Sequence, residues 1–312
     1  MAKISIIIVT CNAIKIIKDC FISIFRQDFK DFEVIVVDNN SLDRTKEFIK
    51  DNFPQVKLIE NKKNLGFCRA NNQGIAISQG EYILTLNSDV ILEKNFLREL
   101  INQAENSSSI VGMFSPKILK MDKKTIDSTG IILTRIRRFY NRGEGEIDFG
   151  QYDDKRDIFG PSAACALYKK EMFEKIKIGD NEYFDNDFFF LVEDVDLAWR
   201  ANLMGFKGLF IPNALCYHLG NSFGLSRKMR QYLSFRNRFL TMLKNESWGY
   251  FLKNLVFLLL YDIPRFLYLI FTNLLVFKAT FEIIYLLHKI LNKRRRITLF
   301  TRLGIISLYE IF

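Results

Sequence analysis

The chain has 312 residues, carries 45 Lys and Arg against 35 Asp and Glu, and is 49% hydrophobic with 30 Phe. Such a composition buries a sizeable core, which excludes global disorder, and the length suits one large domain with an appendage rather than two full domains. Five scattered cysteines, odd in number and without a C-x-x-C pair, exclude a disulfide framework and the usual thiolate zinc spacings and point to a reducing compartment.

The opening stretch, MAKISIIIVTCN, lacks the basic, apolar and small-residue regions of a signal peptide, so the active part is expected at the cytoplasmic side. Residues 4–9 (ISIIIV), 33–37 (EVIVV), 56–60 (VKLIE) and 81–86 (EYILTL) are short β-branched runs that end in polar residues, as strands do. Helix-length stretches at 14–26, 42–52 and 67–79 separate them. This alternation predicts an α/β fold with a mostly parallel central sheet, whose near-continuous apolar strands are covered by helices on both faces. Ligands of open α/β sheets collect beyond the carboxyl ends of the strands. The candidates are therefore Thr10-Cys11-Asn12, Asp38-Asn39-Asn40, the 61–66 segment with Asn64 and Gly66, and Asn87-Ser88-Asp89, all able to meet a sugar, base or metal.

Neither G-x-x-x-x-G-K-[ST] nor G-x-G-x-x-G after the first strand is present, which excludes a P-loop enzyme and an ordinary dinucleotide-dependent dehydrogenase. The run from Asp38 to Asp43 is not a calcium loop, because Leu42 takes a ligand position and Asp43 that of the required glycine. Farther on, Phe159-Gly160-Pro161-Ser162 is a small-residue turn that lets an acceptor approach the backbone closely. Residues 184–200, FDNDFFFLVEDVDLAWR, pass from aromatics through three carboxylates into a helical pattern in which Asp196 and Arg200 are i, i+4 partners. Two strand-like runs, 207–211 and 214–218, precede a loop at 220–224 that closes the domain.

The strand-end residues have definite chemistry. Asp38 suits either the imide N–H of a pyrimidine or a cap on the helix that follows. Asp89 and His218 offer a carboxylate oxygen and an imidazole nitrogen, a donor pair suited to Mg²⁺ or Mn²⁺ carrying a diphosphate, or His218 is a hydrogen-bonded structural residue. The macrodipole alone favours acids such as Glu193 and Asp194 in a first helical turn. A third adjacent acid and the preceding aromatics, able to exclude water, point instead to a general base with a lifted pKa.

Residues 225–312 carry 15 Lys/Arg against 4 Asp/Glu, so the whole basic excess belongs to the tail. Basic clusters such as Lys293-Arg294-Arg295-Arg296 alternate there with Leu/Phe/Ile runs. Unbroken apolar runs are wasted on a phosphate backbone but bury readily in acyl chains, so a membrane surface is the expected partner and nucleic acid is not. Asp262, Arg265, Pro264 and Asn273 interrupt residues 255–277, which predicts a kinked helix pair or shallow hairpin at the interface rather than a clean span. The expected division is a domain at 1–225 and a basic, apolar helical region at 226–312.

With these residues in hand, the sequence resembles a family 2 glycosyltransferase, an inverting enzyme of the nucleotide-diphospho-sugar (GT-A) fold. The likeness covers residues 4–224 and rests on an ordered set: Ile6 to Asn12; Val36 to Ser41 with Asp43; Asn64-Leu65-Gly66-Phe67 with Ala70, Asn72 and Gly74; Leu86 to Asp89; Glu193-Asp194-Val195-Asp196-Leu197 with Trp199-Arg200; and His218. The resemblance implies Thr10, Asn12 and Asp38 near the nucleoside, and Asn64, Gly66 and Asn72 along the nucleotide and sugar. Asn40 and Asn87 join this donor set from their strand ends. It further implies Asp89 and His218 on Mg²⁺ or Mn²⁺, Asp194 as base, and Gly160, Ser162, Glu193 and Trp199 near the acceptor. Asn87 stands where the family often has Asp, and Cys11 where an aromatic is frequent. An Asn-containing motif beside Glu-Asp-Val-Asp-Leu is similar to the rhamnosyltransferase-like branch, so dTDP-rhamnose, or else a UDP-sugar, is the expected donor. The expected acceptor is a lipid-linked saccharide used in polysaccharide or glycan synthesis. A catalytically inactive sugar-nucleotide binder or scaffold, and a glycoside hydrolase, are the competing classes.

Overall fold

A computed structural model describes residues 2–220 and 224–302, so the 221–223 part of the expected closing loop lies outside the described residues. The first hundred residues run β1 (Ile4–Thr10), α1 (Ile17–Phe25), β2 (Phe32–Asp38), α2 (Thr45–Asn52), β3 (Lys57–Glu60), α3 (Gly66–Ile77), β4 (Tyr82–Asn87), β5 (Val90–Leu92) and α4 (Phe96–Glu105). There follow β6 (Val111–Lys120), the short β7 (Ile126–Ser128), β8 (Ile131–Leu133), β9 (Phe139–Asn141) and β10 (Asp157–Ile158), then β11 (Cys165–Lys169) and α5 (Lys170–Ile176). The chain continues with α6 (Glu193–Leu203), β12 (Lys207–His218), α7 (Arg227–Asn245), α8 (Trp248–Thr272) and α9 (Leu275–Arg302).

The main sheet has the order β10-β12-β6-β11-β4-β1-β2-β3. Strands β4, β1, β2 and β3 are parallel; β11 is antiparallel to both β4 and β6, and β12 returns parallel to β6. Strand β1 is buried along its whole length. Successive strand residues face opposite ways. Ile4, Ile6 and Ile8 accordingly pack with Phe21, Phe96 and Leu100 of α1 and α4, whereas Ile7 joins Ile75 of α3 and Leu197 of α6. The two runs at 207–211 and 214–218 form one strand, with a break in register between Ile211 and Leu215. This bulged strand delivers His218 to the same sheet end as Asp38 and Asn87.

The tail helices are tied to this body by buried ions. Lys244 of α7, fully buried, contacts both Asp185 and Asp196, the latter at 2.8 Å. From α9, Lys293 reaches Asp185, Asp187 at 2.7 Å and Glu182 at 2.8 Å. Arg200 donates to Asp196 at 3.1 Å, as its spacing predicts. Burial alone would push the Asp185 carboxyl up, but the Lys244 and Lys293 ammoniums hold it below the usual carboxylate range.

Away from these contacts, α8 and α9 expose a band of large apolar side chains, including Leu260, Phe271, Phe281 and Tyr285. By length and composition α8 is able to cross a membrane, with little of it buried. It continues through Pro264 and ends at Asn273, whose side chain is held by α7: its amide nitrogen donates to the Lys228 carbonyl at 2.8 Å.

Removing one partner of a buried ion pair costs about 3–5 kcal/mol because it strands the opposite charge. Lys244→Met is expected to lower stability by that amount in urea unfolding; an unchanged midpoint would mean the cluster is solvated.

Candidate active site

The loops after β1 and β2 interlock. Asp38, fully buried, accepts hydrogen bonds from Thr10 Oγ1 at 3.1 Å, from the Ser41 backbone N–H at 2.8 Å and from the Ser41 hydroxyl. Asn12 and Asn40 take left-handed backbone conformations, φ 55° and 62°, which asparagine tolerates better than most residues. The Asn12 side chain accepts from the Leu42 N–H at 2.7 Å, and the Asn12 backbone N–H donates to Ser41 Oγ at 2.8 Å. Asp38 thus organises the 38–43 loop.

A second polar cluster surrounds the start of α3. Asn64 caps the turn by accepting from the Gly66 N–H at 2.9 Å. Gly66 has φ +81°, and a Cβ there would sit 2.5 Å from the Phe189 carbonyl, so the 186–192 segment crosses directly over it. A small cavity of about 70 Å³ is enclosed by Cys11, Asn39, Asn64, Gly66, Phe189 and Phe190.

A second cleft, about 300 Å³, is lined by Asn87, Ser162, Glu193, Asp194 and His218 together with Phe139, Tyr140, Asn141, Glu144 and Ser234. It joins the three-carboxylate motif to the end of β12, two features 24 residues apart in the chain. Asp194 sits at the start of α6 and accepts from the Ala163 N–H at 3.2 Å and the Val195 N–H at 2.8 Å. Burial raises its pKa, and those backbone donors partly offset the rise. Glu193 is less well provided: its Oε2 is buried with no hydrogen-bond partner among the described residues. Burial, reinforced by the adjacent Asp194 charge, lifts the Glu193 carboxyl well above the usual range. Of the pair, Asp194 is therefore the easier to ionise.

Behind His218, Asp89 is buried, its Oδ1 lies 3.4 Å from His218 Nε2, and His218 Nδ1 lies 2.8 Å from Asp127. Burial opposes charge on the ring, but Asp127 and Asp89 override it and lift the imidazole pKa to about 10. Asp89 and His218 would offer Mg²⁺ or Mn²⁺ a carboxylate oxygen and, once deprotonated, an imidazole nitrogen whose ring is fixed by Asp127, but among the described residues no group of three or more His, Cys, Asp or Glu is arranged to hold a metal ion.

Several expected positions are engaged inside the protein. The Asn72 amide nitrogen donates to the Phe184 carbonyl at 2.7 Å and to Asn186 at 3.1 Å, and its oxygen accepts from the Tyr183 and Phe184 N–H groups. All of its ordinary hydrogen-bonding capacity goes into holding the 183–186 segment. Gly160 is closed off by α6, since a Cβ there would lie 2.3 Å from Ala198 Cβ; its smallness serves helix–sheet packing. Trp199 is buried against Phe159, with the Arg137 guanidinium 4.9 Å from its ring, so it is a core residue. Ser162 and Glu193 do line the cleft. Asp127, Tyr140, Glu144 and Ser234 went unnoticed in the sequence, because none of them stands in a recognisable spacing.

The sequence profile of Glycosyl transferase family 2 matches residues 5–177. Among curated relatives, the glycosyltransferase GlyG of Streptococcus pneumoniae is 25% identical over 195 residues, covering 59% of this chain and 62% of that protein. A Methanococcus voltae protein named as a dolichyl N-acetyl-α-D-glucosaminyl phosphate 3-β-D-2,3-diacetamido-2,3-dideoxy-β-D-glucuronosyltransferase is 24% identical over 89% of this chain and 84% of its own. The chain spans less than two thirds of the length of several relatives, 24% in the case of a Sinorhizobium fredii protein. Among solved structures, the Pyrobaculum calidifontis mannosyltransferase PcManGT, in complex with GDP-Man and Mn²⁺, superposes with a TM-score of 0.58 at 15% identity, over 96% of this chain and 86% of its own. Staphylococcus aureus TarS, in complex with UDP-GlcNAc, gives 0.53 at 18% over 78% and 68%. At these identities the likeness is one of fold, and that fold is GT-A.

Asn72→Ala leaves buried backbone groups of residues 183–184 without partners, each worth about 1–3 kcal/mol. Thermal unfolding should register that loss; a variant of wild-type stability would return Asn72 to the ligand-binding set.

Proposed function

Since the chain belongs to glycosyl transferase family 2, we propose that it is an inverting glycosyltransferase that moves a sugar from a nucleoside-diphosphate donor to a hydroxyl of a lipid-linked saccharide. One observation carries this reading: a single cleft is lined by an acid suited to proton abstraction, Asp194, and by His218, which is held between two carboxylates. The donor occupies the sheet end between the Thr10–Asn12, Asp38–Asn40 and Asn64–Gly66 loops, with Asn87 and Asp89 toward its diphosphate. The acceptor enters from the side of Tyr140, Glu144 and Ser234. Asp194 takes the proton of the acceptor hydroxyl as its oxygen bonds to the anomeric carbon, while the bond to the diphosphate breaks on the opposite face. The backbone donors from Ala163 and Val195 aim the carboxylate, so its position is set before the acceptor arrives. Asp89 and His218 would hold Mg²⁺ or Mn²⁺, whose charge stabilises a departing diphosphate.

Residues 1–225 form the transferase unit in this reading, and 226–312 seat it on the cytoplasmic face of a membrane. The exposed Leu and Phe band on α8 and α9, flanked by basic residues, supports that seat. The Methanococcus relative is named for a dolichyl-linked substrate, in keeping with an acceptor on a lipid carrier. A panel of dTDP-rhamnose, UDP-GlcNAc and GDP-mannose with Mn²⁺, read by thermal stabilisation and turnover, tests the class and selects the donor. No stabilisation by any of the three would count against it.

Asp194→Asn should lower kcat by about 10³-fold or more with little change in donor affinity, general-base contributions being typically 10²–10⁴. Glu193→Gln should be mild, because burial and the adjacent Asp194 make Glu193 the harder of the two to ionise. The base works ionised, so kcat falls as pH drops through the Asp194 pKa, and burial sets that limb above the ordinary aspartate range. A severe Glu193→Gln defect would reverse the two roles.

Flotation with anionic phospholipid vesicles tests the seat. Leu260→Ser, Phe271→Ser and Tyr285→Ser together remove three exposed side chains, each worth about 1.5–3 kcal/mol when buried. The triple variant should stay with the soluble fraction while its circular dichroism is unchanged.

A further inference from the structure

The segment that leads into Glu193-Asp194 is bent in a way its residues resist. Leu191 and Val192 have φ 70° and 73°, left-handed values that a branched valine rarely adopts and that persist only where surrounding structure imposes them. Val192 is also the residue from which α6 departs, its carbonyl accepting from the Asp196 N–H at 3.0 Å. The direction of α6, and with it the place of Asp194, follows from this turn.

The restraint comes from α7. Asn237, fully buried, donates through one amide nitrogen to the Phe190 carbonyl at 2.9 Å and the Leu191 carbonyl at 2.7 Å. Its oxygen accepts from Arg236 at 2.9 Å, which fixes which end of the amide faces the turn. Arg236 also donates to the Asp187 carbonyl at 2.8 Å and pairs with Glu282 of α9 at 2.7 Å. Phe190 and Leu191 both line the cleft and pack against the apolar cluster formed by α7, α8 and α9. We propose that Asn237, oriented by Arg236, is a positioning residue for the proton-abstracting carboxylate, holding the Leu191-Val192 turn left-handed so that Asp194 faces the acceptor. The helices beyond residue 226 are then part of the catalytic apparatus. This rests on Asp194 being the base.

The full chain is assayed with whichever donor of the three-member panel it turns over. Asn237→Ala should lower kcat 10- to 100-fold while donor KM stays within twofold, and Asn237→Gln, which keeps the amide, should recover part of the loss. Asn237→Asp matches the shape but presents oxygen to two carbonyls, so it should resemble Ala. A kcat within threefold of wild type in both Ala and Asp variants, beside an inactive Asp194→Asn, overturns the inference and leaves the base assignment standing. Loss of donor binding in both also overturns it, because Asn237 would then hold the fold rather than the base. An active Asp194→Asn, or no turnover of any panel donor by wild type, removes the premise itself.

Discussion

Burying Asp185 and Asp196 under the motif helix is tolerable only because Lys244 and Lys293 arrive from two different tail helices to meet them. Charges in a dry interior need partners at close range, and a chain that supplies the partners from residues 59 and 108 positions away must bring its C-terminal helices home before its core is electrostatically complete. The placement of α6, the course of the 182–192 segment and the path of α7 and α9 all follow from that requirement.

The sheet was largely readable in advance. Its four leading strands begin and end within two residues of the runs 4–9, 33–37, 56–60 and 81–86, because β1, β2 and β4, largely buried, leave a near-continuous apolar signal, while the edge strand β3 keeps only Leu58-Ile59 partly covered. The family likeness was carried by an ordered set of short polar blocks, and the same blocks do gather at one end of the sheet. What such blocks could not reveal is which neighbour each side chain meets. Asn72, Gly160 and Trp199 stand at marked positions for reasons of packing and hydrogen bonding inside the body, which a spacing cannot distinguish from contact with a ligand. The attachment of the tail was equally hidden: Lys244 and Lys293 look like ordinary members of a basic surface, and only the fold shows them enclosed.

The Glu193–Asp194 pair illustrates how little sequence distance is needed to give two acids opposite characters. Glu193 is buried and Asp194 half-buried at the same helix start, where the dipole favours negative charge. The backbone N–H groups of Ala163 and Val195 both reach Asp194, so negative charge settles there more readily than on Glu193. Two backbone contacts decide the matter.

The band of Phe, Leu and Tyr along α8 and α9 also governs how the molecule behaves at the bench. Patches of this extent on a water-facing surface drive self-association when no amphiphile covers them. In plain buffer that band is an aggregation liability, and part of it lies on the same helix, α9, that carries Lys293 into the ionic core. Choice of detergent or nanodisc therefore belongs among the variables of any rate measurement, alongside pH and temperature.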